Sequence, residues 1–307
     1  MTNVETTQRS AVGVAAPWRE VTVGGVRIAY RDEGGGPIVV CLHAIGHGGG
    51  DFAALGARLR GRYRVIALDW PGQGNSGADE APPSAARYAE LLAGFLDTMG
   101  VGRVVLVGNS IGGAAAIRYA WAHPERVCWL VLENPGGLDP PDRLARLAIG
   151  LMVRFFAAGA RGAWWFPRAF AAYYRLVLPR TAAAEQRRRI VASAREIAPV
   201  LHAAWRSFGE PEADLRALVP HVACPVLFAW AARDRIIQLA RSMPGIRAFP
   251  NARLETFPAG HAPHLETPAA FEMALGRFLA GLPSGAESPA PRRPGDHVQG
   301  RVARVPQ

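Results

Sequence analysis

The 307-residue chain reads as an α/β protein, with a mostly parallel central sheet, helices on both of its faces and a helical segment inserted after the sixth core strand. Three observations predict this. Between residues 18 and 138, short β-branched apolar runs alternate with longer helix-like stretches. Over 139–216 the strand signal stops and aromatic-rich helical text replaces it. Over 217–283 strands resume. Runs that are apolar throughout, rather than at every second residue, belong to strands covered on both faces, as parallel sheets are.

Taken in order, the strand series opens with "VTVGGVRIAY" and "IVVCLH". It continues through a helix, "RVIALDW", a helix, "VVLVGN", a helix and "WLVLEN". The helix from about Ser84 to Thr98 places Tyr88, Leu91, Leu92, Phe95 and Met99 on one stripe, so it packs by one face. The insert contains "MVRFFAAGARGAWWFPRAFAAYYRLVLP". "CPVLFAW" and "ARLETF" are the returning strands, and an amphipathic helix carrying Phe271, Leu275 and Phe278 closes the fold. Residues 1–17 are expected to be a flexible N-terminus. Residues 284–307, rich in Pro, Gly and Arg and without apolar period, are expected to be a disordered tail, because they cannot bury enough surface to offset their ordering entropy.

Composition narrows the function classes. With 50% hydrophobic and 20% charged residues, the chain can build a large core and a deep pocket. The net charge is +10, yet all 35 basic residues are arginine and no basic stripe is interleaved with stacking aromatics. The arginines therefore read as solvated surface charge, with no nucleic-acid partner. Cys41, Cys128 and Cys224 lie far apart beside apolar runs, without zinc or redox spacing, and are expected to be buried, reduced thiols. The first 17 residues lack the early positive cluster of a secretory signal, and no apolar run is long enough to span a bilayer. A cytoplasmic protein with no membrane partner is expected.

One serine stands out. In "LVGNSIGGAA", Ser110 lies where a buried strand turns into a helix, and Gly108, Gly112 and Gly113 lack the side chains that would clash in so tight a reversal. The helix start brings main-chain N–H groups and a positive dipole end to the same point, where an oxyanion could be stabilised. A serine hydroxyl needs an imidazole to take its proton, and the imidazole needs an acid to fix its tautomer. "VLFAWAARDRII" supplies Asp234 just beyond one strand, and "LETFPAGHAPHLETP" supplies His261 just beyond the next.

Together "GNSIGG", "LHAIGHGG", "DWPGQGNSG", "AARDRII" and "GHAPHLETP" resemble the α/β-hydrolase superfamily over about residues 20–282. The resemblance implies a catalytic triad of Ser110, Asp234 and His261. It makes residues 139–216 the family's cap, and it implies an oxyanion hole built from the main-chain N–H groups of Ile45 and Ile111. The family usually has glycine where this chain has Ala44. It selects His261 over His264 as base and Asp234 over Glu133 as acid, although Glu133 ends a strand from which some members draw their acid. His43 and Asp69 become structural, Trp70 and Gln73 loop packing, and His47, Asn109, Trp164 and Trp165 candidates for substrate contact.

A serine nucleophile points to acyl chemistry, since the dehalogenases and epoxide hydrolases of this fold attack with aspartate. The leading reading is cofactor-free, metal-free hydrolysis of a small-molecule carboxylic ester. The runner-up is C–C bond hydrolysis of a vinylogous diketo acid, a ketone substrate, because residues 108–138 are similar to meta-cleavage product hydrolases. Against it, the tryptophan that usually follows the catalytic histidine is Ala262, and "PGQGNS" looks more like general esterases. An acyltransferase, or a ligand-binding member without turnover, ranks below both, and a homodimer is left open. The insert's aromatics, Phe155, Phe156, Phe166, Tyr173, Tyr174 and Trp205 with the two tryptophans, read either as a helical core or as a pocket for an apolar or aromatic acyl group.

Overall fold

Two adjacent glycines start the sheet. Strands β1 (Arg19–Val23) and β2 (Val26–Glu33) pair antiparallel with Val23 opposite Val26, leaving Gly24 and Gly25 as a two-residue loop with φ of 54° and 83°. In one of the two turn types that match the twist of the strands across so short a loop, both central residues have positive φ, which glycine adopts without penalty. The structure, a computed structural model, describes residues 16–139 and 142–281. The expected disordered tail, and the expected flexible N-terminus apart from its last two residues, lie outside the described residues.

β2 also runs antiparallel to β4 (Arg64–Leu68). The remaining strands, β3 (Ile38–Leu42), β5 (Val104–Asn109), β6 (Val127–Glu133), β7 (Val226–Ala231) and β8 (Ala252–Phe257), are parallel to β4 and to one another, in the order β1-β2-β4-β3-β5-β6-β7-β8. This is the mostly parallel sheet that the apolar runs predict. Every residue of β3, β5 and β7 is buried. Because side chains alternate across a strand, Val39, Cys41, Val105 and Val107 face one layer, and Val40, Leu42, Val104 and Leu106 the other.

The first layer is covered by α1 (Ala53–Leu59) with the C-terminal helix described below. The second is covered by α2 (Ala85–Thr98) and α3 (Ile111–Ala122). Helix α2 begins where the sequence places it, with Ser84 Oγ accepting from Arg87 N at 3.0 Å, and it buries Tyr88, Leu91, Leu92 and Phe95. Between β6 and β7 lie four helices, α4 (Arg143–Ala160), α5 (Phe166–Val177), α6 (Ala184–Ala192) and α7 (Ala194–Ser207). Their interior is aromatic: Phe156, Phe166 and Phe170 are fully buried, and the Phe166 and Phe170 rings stack at 5.3 Å. After β7 come α8 (Leu239–Arg247), α9 (Pro263–Glu266) and α10 (Pro268–Leu279), the last burying Phe271, Leu275 and Phe278 beneath the first layer.

The cysteines depart from expectation. Cys41 is buried, but Cys128 and Cys224 are half-buried, because each sits at a strand end rather than within the run. No helix among the described residues is long and apolar enough to cross a membrane.

The reversal from β5 into α3 requires three layers of backbone to touch. A Cβ on Gly112 would stand 2.3 Å from the Leu42 carbonyl oxygen and 2.8 Å from that of His43, and one on Gly108 would stand 2.7 Å from the Gly112 carbonyl oxygen. These neighbours are main chain and cannot rotate away. Gly112→Ala is expected to destabilise the fold by about 1–3 kcal/mol. Gly150→Ala in α4, where nothing lies within 4 Å, is expected to be neutral or to stabilise by up to about 1 kcal/mol through helix propensity. Denaturant unfolding of the two variants beside wild type checks both.

Candidate active site

Ser110 sits in the tight space made by those glycines, with φ 54° and ψ −118°. Positive φ is costly for a residue with a Cβ, of order 1–3 kcal/mol, and among the described residues only Ser110 and Asn134 show it outside glycine. Ser110 is held there from both sides. Its N–H donates to the Glu133 carbonyl at the end of β6, at 2.9 Å, and its own carbonyl accepts from Ala114 N in the first turn of α3, at 3.0 Å. The side chain, 8% exposed, is thereby presented at the C-terminal edge of the sheet.

That edge forms the floor of a cavity of about 840 Å³ roofed by α4, α5 and α7. Ser110, Ile45, Ile111, His47 and His261 line it, and Tyr173, Tyr174 and Trp205 enter from the helices. The main-chain N–H groups of Ile45 and Ile111 donate to no acceptor among the described residues, which leaves both free to face a ligand oxygen. No hydrogen bond joins Ser110 Oγ to the His261 ring; such contacts often tighten only around a substrate.

The loops after β7 and β8 place an acid on this histidine. His261 Nδ1 donates to Asp234 Oδ2 at 2.7 Å. The same oxygen accepts from Asn134 Nδ2 at 2.8 Å, while Asp234 Oδ1 accepts from the main-chain N–H groups of Ile236 and Ile237 at 2.7 and 3.1 Å. Asn134 also accepts from Ala231 N at 2.7 Å, which ties the end of β6 to the end of β7. Glu266, itself buried, supports His261 from the other side, with Oε1 accepting from the N–H groups of Gly260, His261 and Ala262 at 2.8, 2.9 and 3.2 Å.

Burial by itself would lower the pKa of His261. The charge of Asp234, the hydrogen bond to it, and then the charges of Glu266 and Glu133 outweigh burial and hold the imidazole above its ordinary 6.5. Glu133 belongs to a different pair. Its Oε2 accepts from His264 Nδ1 at 2.8 Å and from His264 N at 3.1 Å, and the His264 ring stacks on Phe52 at 4.3 Å. The two acids and two histidines are thus sorted, Asp234 with His261 and Glu133 with His264.

The loop that carries Ile45 is fixed by residues read as structural. His43 Nδ1 donates to the Ala44 carbonyl at 2.7 Å and its Nε2 accepts from Trp70 N at 2.8 Å, so both ring nitrogens are occupied. Gln73 Oε1 accepts from Gly46 N at 2.7 Å, and Asp69 accepts from Gly49 N at 2.7 Å. Ala44 has no positive φ, so the alanine fits the loop. His47 reaches the cavity and donates through Nδ1 to Asp51 Oδ2 at 2.6 Å.

Three expected substrate contacts are not at the cavity. Asn109 points under the floor, its Nδ2 donating to the carbonyls of Glu133 and His261, both at 3.0 Å. Trp164 and Trp165 stand on the turn before α5, 76% and 37% exposed. The sequence carries a signal for this. Pro167 marks the first turn of α5, which leaves the two tryptophans ahead of the helix, whereas Tyr173 and Tyr174 fall two turns inside it. Asn134 and Glu266 are not among the expected site residues; Asn134 adjoins Glu133 and Glu266 lies within "GHAPHLETP", but the role of each depends on contacts between separate strands or along a buried loop.

If Glu266 acts on His261 by charge as well as by geometry, Glu266→Gln keeps an acceptor for the loop and removes only the charge. The His261 pKa, followed by NMR titration of its ring, is expected above 6.5 in wild type, lower in Glu266→Gln and lower again in Asp234→Asn.

Residues 39–274 match the model of the alpha/beta hydrolase family. An uncharacterized protein of Mycobacterium tuberculosis is 30% identical over 91% of this chain and 86% of its own length. A 2-hydroxy-6-oxo-6-phenylhexa-2,4-dienoate hydrolase of Burkholderia cepacia is 27% identical over 85% and 94%. Among solved structures, a membrane phospholipase A superposes with a TM-score of 0.76 at 26% identity, covering 87% of each chain. An esterase from Thermogutta terrifontis has the same fold, with a TM-score of 0.73 at 22% identity over 87% of this chain and 99% of that one. The chain belongs to the alpha/beta hydrolase family.

Proposed function

We propose that this chain is a serine hydrolase that cleaves the carboxylic ester of an apolar or aromatic small molecule through an acyl-enzyme on Ser110. The observation that carries the reading is one cavity holding both a serine forced into positive φ at a strand-to-helix reversal and a histidine already bonded to a buried carboxylate. Strain of this kind persists where the surroundings over-determine it, and it concentrates at functional sites.

In this reading Ser110 Oγ attacks the carbonyl carbon while His261 Nε2 takes the hydroxyl proton. The oxyanion accepts from the Ile45 and Ile111 N–H groups, at the positive end of α3. Collapse breaks the ester C–O bond, His261 returns the proton to the leaving alkoxide, and a water activated by the same ring releases the acid. Asp234 fixes the tautomer that leaves Nε2 unprotonated, and its charge stabilises the imidazolium. Helices α4–α7 act as a cap, with Tyr173, Tyr174 and Trp205 as the apolar wall; a cavity of about 840 Å³ suits a ligand of drug-like size.

A second reading, C–C bond hydrolysis of a carboxylated dienoate, is supported by a relative. A 2-hydroxy-6-oxononadienedioate/2-hydroxy-6-oxononatrienedioate hydrolase of Burkholderia vietnamiensis is 42% identical over 124 residues, 38% of this chain and 43% of that protein. Arg235 lines the cavity and is available to a substrate carboxylate. The ester reading is favoured because Ala262 stands where such hydrolases usually carry tryptophan.

The test is hydrolysis of p-nitrophenyl esters graded from acetyl to long-chain and aryl acyl groups, beside a dienoate. Ser110→Ala and His261→Ala are each expected to lower kcat at least about a thousandfold, and Asp234→Asn about ten-thousandfold. Glu133→Gln, whose carboxylate serves His264, is expected to lose less than about tenfold, since it leaves the Asp234–His261 bond intact. Turnover of the dienoate with none of any ester would move the assignment to the second reading, and an equal loss in the two acid variants would move the acid.

A further inference from the structure

Helix α4 carries an apolar stripe that none of the described residues covers. Leu144, Leu147 and Leu151, three and four residues apart, lie along one side of the helix and are 66%, 61% and 56% exposed. The opposite side, through Phe156 and Gly159, is the one that packs into the insert. Isolated surface leucines are ordinary, whereas a contiguous row of them marks a contact.

Two features indicate what covers the row. The first is continuity: Leu144 and Leu151 also line the cavity that holds Ser110, so its apolar wall runs out through the mouth onto the protein surface. The second is charge. Arg143, Arg146 and Arg154 are exposed on the same helix beside the leucines, and their side chains enter no ion pair or hydrogen bond among the described residues. The nearby acids do not pair with them. Asp139 and Asp142 both meet Arg241, at 3.9 and 3.0 Å, and Glu210 and Glu212 line the cavity on the α7 side. A second copy of the chain is a poor occupant, because a two-fold contact would set these unpaired arginines against themselves.

We infer that α4 is a docking surface for an anionic lipid aggregate. The leucines enter the acyl layer, the three guanidiniums meet the phosphate headgroups, and the cavity mouth opens toward the lipid. Rows of leucine and arginine sharing one exposed helical face suit an interfacial helix. The contact is peripheral, and it departs from the expectation of no membrane partner that the composition suggested. It stands apart from the proposed reaction, since binding is measured without turnover.

The experiment is cosedimentation of the full chain with vesicles of phosphatidylcholine alone, or of phosphatidylcholine mixed with phosphatidylglycerol. Wild type is expected to bind the mixed vesicles at least about tenfold more tightly than the neutral ones, with the difference shrinking as salt rises. Leu147→Asp, at a position exposed and outside the cavity wall, and the triple variant Arg143→Gln/Arg146→Gln/Arg154→Gln are each expected to weaken that binding about tenfold or more. Both are expected to keep wild-type hydrolysis of a short water-soluble ester. Absence of wild-type binding to mixed vesicles, or equal binding by the variants, overturns the inference. So does a dimer that Leu147→Asp dissolves in a chain that ignores vesicles, which would assign the face to a second copy.

Discussion

The backbone reversal at Ser110 is the constraint on which the rest of the site depends. To turn from β5 into α3 within one residue, the chain must bring Gly108 against Gly112 and Gly113, and Gly112 against the carbonyls that end β3. It must also hold a serine at φ 54°. The strain is offset by two fully buried strands and by the bond from Ser110 N–H to the Glu133 carbonyl. The consequence is geometric: the ends of β3, β5 and β6 are locked together, and whatever follows each strand faces the same cavity.

Electrostatics sort what the geometry gathers. Buried charges are tolerated when they are paired and hydrogen-bonded, and Asp234 and Glu266 at the floor of this cavity obey that rule, whereas Glu133 Oε1 and His264 Nε2 are buried without a hydrogen-bond partner among the described residues. Asp234 accepts four hydrogen bonds, from His261, Asn134, Ile236 and Ile237. Glu266 is taken up by three main-chain N–H groups, and Glu133 by His264. The field of these carboxylates favours a positive charge on the His261 ring. In the proposed mechanism that charge appears as the serine loses its proton, so the surroundings favour the transition state over the resting neutral base.

Much of this was legible in the sequence, because strand ends carry the chemistry of such sheets. Ser110 and Asp234 each stand just beyond an apolar run, and runs of that kind are unambiguous when both faces are buried, as in β5 and β7; His261 stands beyond β8, an edge strand of mixed sequence. What could not be read depends on contacts between distant segments. Its place before Ser110 makes Asn109 read as a cavity residue, yet alternation along β5 turns its side chain beneath the floor, onto the carbonyls of Glu133 and His261. Asn134 and Glu266 have no periodic signal, since each acts on a neighbouring loop. The tryptophans misled through composition. Large aromatics suggest a pocket, but Trp164 precedes the helix that forms the wall and faces solvent.

The central claim is that Ser110 is a nucleophile activated by His261. Its most direct test is the intact mass of the protein after exposure to a fluorophosphonate, followed by peptide mapping. The account predicts a single adduct on Ser110 in wild type, absent from Ser110→Ala and strongly slowed in His261→Ala, with no adduct on other serines. An unlabelled wild type, or an adduct on another residue that survives Ser110→Ala, would contradict it.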